Sequence, residues 1–230
     1  MNILITGASS GIGRAIALEM TSDKHKFFLI SRNKEKLTKI KREVEERGGI
    51  AYIGTGDVAK FDQVLGLYEE AKKYLGNIDV LIANAGVGFL FNLEDTPLEK
   101  YELMFDTNVK GVFLWLKMIL PDMKRKNKGQ IIITSSTAGF QTFSQGSVYC
   151  ATKHAIQGMA GALRKELIGT RVKIATINPG AVNTPWFDHQ SNFSGFDRSK
   201  MLSARDVAKA VRLVIEQSET CNIDHILLTH

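Results

Sequence analysis

The opening of the chain restricts its fold more than any other segment. Asn2-Ile3-Leu4-Ile5 is a short apolar run of the kind that makes a buried strand. It leads directly into Thr6-Gly7-Ala8-Ser9-Ser10-Gly11-Ile12-Gly13, and helical spacing follows from Arg14 to Met20, with Ile12, Ile16 and Met20 on one face. A strand, a glycine-rich turn and a helix start together open a Rossmann-type unit. Glycine lets the backbone approach a pyrophosphate, and the helix N-terminus presents free N–H groups and a favourable dipole. The glycine spacing is G-x-x-x-G-x-G rather than G-x-G-x-x-G. A plain tight turn is the alternative, and the strand–turn–helix context argues against it.

The rest of the chain repeats the alternation. Phe27–Ile30, Ala51–Ile53, Asp79–Ala83, Gln130–Thr134, Lys173–Ile177 and Ile226–Leu228 read as strands. Between them lie helical patterns from Lys34 to Arg47, Val64 to Leu75, Leu98 to Met123 with a break expected near Asn108, Tyr149 to about Leu167, and Asp206 to Ile215. Such alternation predicts an α/β fold, a doubly wound parallel sheet with helices on both faces. The 230 residues fit one domain, 1–230, with no repeat, linker or low-complexity stretch.

Ser136, Tyr149 and Lys153 carry the chemistry. Tyr149 and Lys153 stand four apart, on one face of a helix, and Ser136 closes the strand before it. A phenol of pKa near ~10 is a poor acid at neutral pH, and a cation one turn away is expected to lower that value and make a usable proton donor and acceptor. Tyr-x-x-x-Lys alone is also an ordinary helix-surface pair.

Together these residues resemble the short-chain dehydrogenase/reductase family. The match runs through Thr6-Gly7-x-x-x-Gly11-x-Gly13, Asp57-Val58, Asn84-Ala85-Gly86, Asn108, Ser136, Tyr149-x-x-x-Lys153 and Asn178-Pro179-Gly180 with Thr184. The resemblance implies a strand order of 3-2-1-4-5-6-7. It also implies a carbonyl/alcohol oxidoreductase in which Tyr149 is the general acid and base and Ser136 positions the substrate oxygen. Lys153 tunes Tyr149 and holds a ribose, while Asn108 kinks its helix and anchors a relay water. Gly7, Ser9, Ser10, Gly11, Ile12 and Gly13 would cradle the pyrophosphate. Asp57 and Val58 would meet the adenine, although Asp57 also reads as an N-cap for the helix beginning near Lys60. Asn84, Ala85 and Gly86 would line the cleft, or simply form a turn. Pro179, Gly180, Val182 and Thr184 would hold the nicotinamide end.

The end of the second strand selects the cofactor. An acidic residue there would bond a ribose 2′-hydroxyl, but this chain has Ser31-Arg32-Asn33. Arginine pairs with phosphate, so NADP(H) is expected. Two enzyme types compete within the family, 3-oxoacyl-acyl-carrier-protein reductases and sepiapterin-reductase-like carbonyl reductases. The ending Asp224 to His230 lacks the Gly-Gly segment usual in the former. A non-catalytic NADP(H)-binding redox sensor is the alternative from another class.

Composition narrows the rest. Two cysteines, Cys150 and Cys221, give no disulfide framework and favour a cytoplasmic setting, with Cys150 expected to pack its helix. The formal net charge of +6 concentrates at Lys124-Arg125-Lys126 and Lys128, where cations offset a helix dipole, so no nucleic-acid role is expected. Within 34–47, Glu35–Lys39 and Glu43–Arg47 are spaced for ion pairs. No apolar stretch reaches bilayer length, so no membrane association is expected. His154 and His189 lack a second ligand at metal spacing, so no metal is expected. Phe113, Trp115, Met118 and Met159 exceed what one core face needs and point to a homodimer or homotetramer. Trp186, Phe187 and Phe193 read as a mobile cover over a pocket floored by Val87, Phe89 and Phe143. No cation other than Lys153 is expected to reach that pocket, which favours neutral carbonyl or alcohol substrates.

Overall fold

The structure is a computed structural model that describes residues 1–22, 25–189 and 197–230. Seven strands form one parallel sheet. They are β1 (Asn2–Thr6), β2 (Lys26–Ser31), β3 (Ile50–Thr55), β4 (Val80–Ala83), β5 (Gly129–Thr134), β6 (Val172–Pro179) and β7 (His225–Leu228). Their order across the sheet is β3-β2-β1-β4-β5-β6-β7, as the resemblance implies. Val182–Asn183 and Leu202–Ser203 pair separately as a short ladder. The order reverses between β1 and β4, and an open α/β sheet binds ligands at the carboxyl ends of the strands flanking such a reversal.

Both faces of the sheet are covered, which is why the strands are apolar runs rather than alternating patterns. Leu4, Phe28, Leu81, Ile131 and Ile133 point to one face, against Val64, Trp115 and Ile156. Their neighbours Ile3, Ile5, Phe27, Leu29, Ile82 and Ile132 point to the other, against Ile16, Leu37, Val207 and Val211. Burying each such side chain contributes roughly 1.5–3 kcal/mol.

The helices α1 (Gly11–Glu19), α2 (Lys34–Glu45), α3 (Phe61–Leu75), α4 (Leu98–Phe105), α5 (Gly111–Lys126), α6 (Ser147–Glu166) and α7 (Ala204–Ile215) follow the apolar stripes. Local chemistry fixes several starts. The Asn33 side chain accepts from Lys36 N at the head of α2, and Ser203 with Asp206 forms a capping box on α7. The expected break near Asn108 takes a milder form. Asp106–Lys110 is a π-helical turn that joins α4 to α5 without interrupting the backbone path.

Several local expectations change. Glu43 pairs with Arg14 of α1 rather than with Arg47, which lies beyond the end of α2, and Lys41–Glu45 forms the intrahelical pair. Trp115 is fully buried in the core, so it adds nothing to an exposed face. The basic cluster sits at the end of α5 as expected, with Arg125 paired to Asp122 and Lys128 to Glu219. Cys150 is buried in α6. Among the described residues no helix is long and apolar enough to cross a membrane.

Candidate active site

The glycine turn forms a cradle whose shape excludes side chains. Gly7 and Gly11 adopt φ of 65° and 52°, a region that L-residues avoid. A Cβ on Gly13 would collide with the Gly7 carbonyl oxygen and stand 2.7 Å from Asn84 Nδ2. Ser10 caps α1 without a side-chain hydrogen bond, so its hydroxyl leaves the first-turn N–H donors to another acceptor. Ser9 and Ser10 are half-buried beside it, and Ile12 packs partly into the core. Thr184, which follows Val182–Asn183, reaches the cradle, since a Cβ on Gly11 would lie 3.3 Å from its methyl group.

Asn84 locks the switch point. Its Nδ2 donates to Thr6 O (3.1 Å) and Gly7 O (3.3 Å), while Thr6 Oγ1 accepts from the backbone N–H groups of Asn84 and Ala85 at 3.0 Å each. At the end of β2, Ser31 Oγ accepts from Asn33 N (3.1 Å) and Arg32 is exposed. Asp57 is not the cap of α3, whose N-cap is Lys60. Its Oδ1 instead accepts from Ala59 N (2.9 Å) in a local turn, and Gln63 Oε1 accepts from its N–H (2.7 Å). Val58 is buried and packs against Gly111. After β6, Gly180 N donates to Leu228 O (2.8 Å), and Val182 is buried.

A proton-handling group lies at the end of β5. Ser136 Oγ donates to Pro179 O (3.2 Å) and accepts from Ala138 N (3.1 Å), and the same hydroxyl acts on the Tyr149 phenol in the direction that lowers its pKa. Lys153 is buried; its Nζ donates to Thr134 O (3.3 Å) and sits 5.6 Å from the centre of the Tyr149 ring. A Cβ on Gly86 would stand 3.8 Å from Lys153 Nζ and 3.3 Å from Asn108 Oδ1, so these three residues meet. The Asn108 side chain bridges to the loop after β4. Its Oδ1 accepts from Val87 N (2.8 Å), and its Nδ2 donates to Val87 O (2.8 Å) and Thr152 Oγ1 (3.1 Å).

The electrostatics differ from the sequence expectation. Burial pushes Tyr149 up to about 12, against a smaller lowering by the Ser136 hydrogen bond, and pushes Lys153 down to about 8. Desolvation opposes the charged form of each group and is the largest cause of both shifts.

Sequence reasoning did not find Thr152 or Gln157. Thr152 Oγ1 donates to Tyr149 O (2.7 Å), which links Asn108 to the tyrosine's own turn of helix. Gln157 lies one turn beyond Lys153, and its Nε2 donates to Ser135 Oγ (3.0 Å) and Asn178 Oδ1 (2.6 Å). Its position, four residues beyond a candidate site lysine, was the only signal in the sequence.

On the substrate side, Trp186 packs against Tyr149 and Phe187, while Phe143 is exposed and lies against Gly146. Lys100 Nζ lies 4.7 Å from the Phe89 ring centre, so a cation does stand over one of the expected floor residues. Phe193 and its neighbours from Gln190 to Phe196 lie outside the described residues.

Residues that orphan helix N–H groups beneath a collision-tight glycine turn, set beside a buried lysine, fit a dinucleotide phosphate and ribose. The comparisons agree with this. The model of the short chain dehydrogenase family matches residues 1–194, and the chain belongs to that family. It is 34% identical over 235 residues to the NADP-dependent 3-hydroxy acid dehydrogenase of Schizosaccharomyces pombe, covering 98% of this chain and 91% of that protein. The structure resembles that of an alcohol dehydrogenase from the archaeon Thermococcus sibiricus complexed with 5-hydroxy-NADP, with a TM-score of 0.88, 30% identity and coverage of 99% and 95% of the two chains. It also resembles the closed form of serine dehydrogenase complexed with NADP+, with a TM-score of 0.91, 30% identity and coverage of 99% and 94%.

Proposed function

We propose that this chain is an NADP(H)-dependent oxidoreductase that interconverts a carbonyl and a secondary alcohol. The observation that carries the reading is the convergence of Ser136, Tyr149 and Lys153 at the end of β5, beside the glycine cradle. NADPH, when bound, supplies the hydride. Gly7, Gly11 and Gly13 admit its pyrophosphate, and Arg32 pairs with the 2′-phosphate. Lys153 has three N–H donors; Thr134 O takes one, which leaves the others for the nicotinamide ribose. Pro179, Gly180, Val182 and Thr184 border the nicotinamide end.

Ser136 donates a hydrogen bond to the substrate carbonyl oxygen. Tyr149 passes its phenolic proton to that oxygen as negative charge develops there. Burial keeps the phenol protonated and makes it a weaker acid than a free tyrosine, so proton transfer must be driven by the negative charge that develops on the substrate oxygen. The Asn108 side-chain amide is occupied by Val87 and Thr152. Its share in returning a proton to Tyr149 therefore runs through its main chain in the π turn, where a displaced carbonyl can hold water.

Tyr149→Phe tests the assignment. Turnover of a carbonyl substrate with NADPH should fall at least ~10²-fold with NADPH binding nearly unchanged. Wild-type activity in this variant would refute the mechanism. NADPH binding without any carbonyl turnover by the wild type would favour the redox sensor.

The position of Lys100 over Phe89, together with the 3-hydroxy acid activity named for the yeast relative, favours a second reading in which the substrate carries a carboxylate. Comparing kcat/KM for a 3-hydroxy acid with that for the matching neutral secondary alcohol separates the two. A clear preference for the acid selects the second reading.

A further inference from the structure

Three segments distant in sequence meet on the substrate side of Tyr149. The Tyr149 and Trp186 rings lie with centres 5.7 Å apart at 52°. Gly88, in the loop after β4, makes the contact possible. A Cβ there would collide with Trp186 Cζ2 and stand 2.9 Å from its Cε2 and 3.0 Å from Tyr149 Cδ2. Trp186 is therefore seated by a position that admits no side chain. The indole also meets Phe187 edge-on, with ring centres 4.7 Å apart at 72°, within the turn Pro185–His189 that starts beside Thr184. Asp188 in the same turn pairs with Arg198 at 2.6 Å. These contacts place the indole as a wall beside the Tyr149 ring.

We propose that Trp186 is the specificity-determining residue of the substrate pocket. Its indole limits the bulk of the group beside the reacting carbonyl and offers a flat apolar face to planar substituents. The inference rests on the proposed carbonyl chemistry at Tyr149. A carbonyl that accepts a proton from the phenol must place one of its substituents near the ring that covers that phenol. Planar groups can lie offset against indole, whereas branched groups meet it end-on. Trp115 is the contrast, because it is fully buried in the core and faces no ligand.

The test compares kcat/KM for a small aliphatic ketone and for a ketone carrying a branched bulky group, in the wild type and in Trp186→Ala. Opening the wall should raise the bulky-to-small ratio by about tenfold or more, the scale at which pocket shape discriminates. NADPH affinity should remain unchanged. A ratio unchanged in the variant, including an equal loss on both substrates, overturns the inference. Failure of the wild type to turn over any carbonyl while binding NADPH instead overturns the underlying functional reading. A second measurement does not depend on the alanine variant. The sequence has two tryptophans, so Trp115→Phe leaves Trp186 as the sole emitter. Its fluorescence should change when an aryl ketone is added to the complex with NADP+, and an unchanged spectrum at saturating ketone counts against the wall.

Discussion

Lys153 is held in the site against its own solvation. Burial is the only cause of its shift, from an ordinary 10.5 to about 8, and no carboxylate offsets it. Between those two values the unfolded chain binds more protons than the folded one, so stability rises with pH through that window. Below about pH 8 the penalty is present in full, on the order of 3 kcal/mol. Lys153→Met should therefore lack activity yet be more stable than the wild type at pH 7, by ~1–3 kcal/mol. That advantage should vanish above about pH 10, as read from urea unfolding at the two pH values. Arg32 works in the opposite setting, exposed at the end of β2. The neighbouring Asn33 side chain is committed to the α2 cap, and Arg32 is the residue proposed to meet the 2′-phosphate. Arg32→Ala should weaken NADPH by ~1.5–3 kcal/mol and NADH far less, measured by titration calorimetry. Equal weakening would remove Arg32 as the discriminator.

At the scale of elements, α6 is the spine of the site. Tyr149, Thr152, Lys153 and Gln157 share its inner face and face the ends of the strands. Gln157 uses both amide ends there. Its Nε2 reaches Ser135 and Asn178, and its Oε1 accepts from Thr176 Oγ1 (3.3 Å). Asn178 in turn donates to Ile226 O (3.1 Å), so one polar chain ties α6 to β5, β6 and β7 behind Ser136 and Pro179. Gln157→Leu leaves these partners unpaired and should cost ~1–3 kcal/mol in unfolding free energy. Because the network sits behind the Ser136–Pro179 contact, kcat should fall more than KM rises. A variant with wild-type stability and kcat would show that the network positions nothing.

For the whole molecule, the question is what covers α4 and α5. Leu98, Tyr101 and Phe113 are 68%, 43% and 48% exposed, although each is large and apolar. Met118 and Met159 pack partly onto the core beneath. Exposed groups of this size are what an association surface would present. We predict a homodimer or homotetramer formed through this face, with Phe113→Asp shifting the population to monomer. Light scattering at micromolar concentration checks it, and a monomeric wild type would refute it.

Much of this molecule was legible in the chain because its signals are local. The strand runs, the helical stripes, the glycine turn and the four-residue spacing of Tyr149 and Lys153 depend on neighbours in sequence, and each element appears within a few residues of where the pattern puts it. What depends on packing was not legible. The asparagine that reads as a helix break sits in a π turn instead, with its amide held by Val87 and Thr152, both far away in sequence. Trp115 and Phe113 are both large apolar residues two positions apart, yet one is core and the other surface, since only the packed helix decides which side faces the sheet. The cation beside Tyr149 was readable, but its effect was not, because desolvation depends on everything that surrounds the pair. The seat of Trp186 against Gly88 and Tyr149 has no local signature at all, since it exists only once a loop, a turn and helix α6, all separate in sequence, converge at the carboxyl ends of the strands.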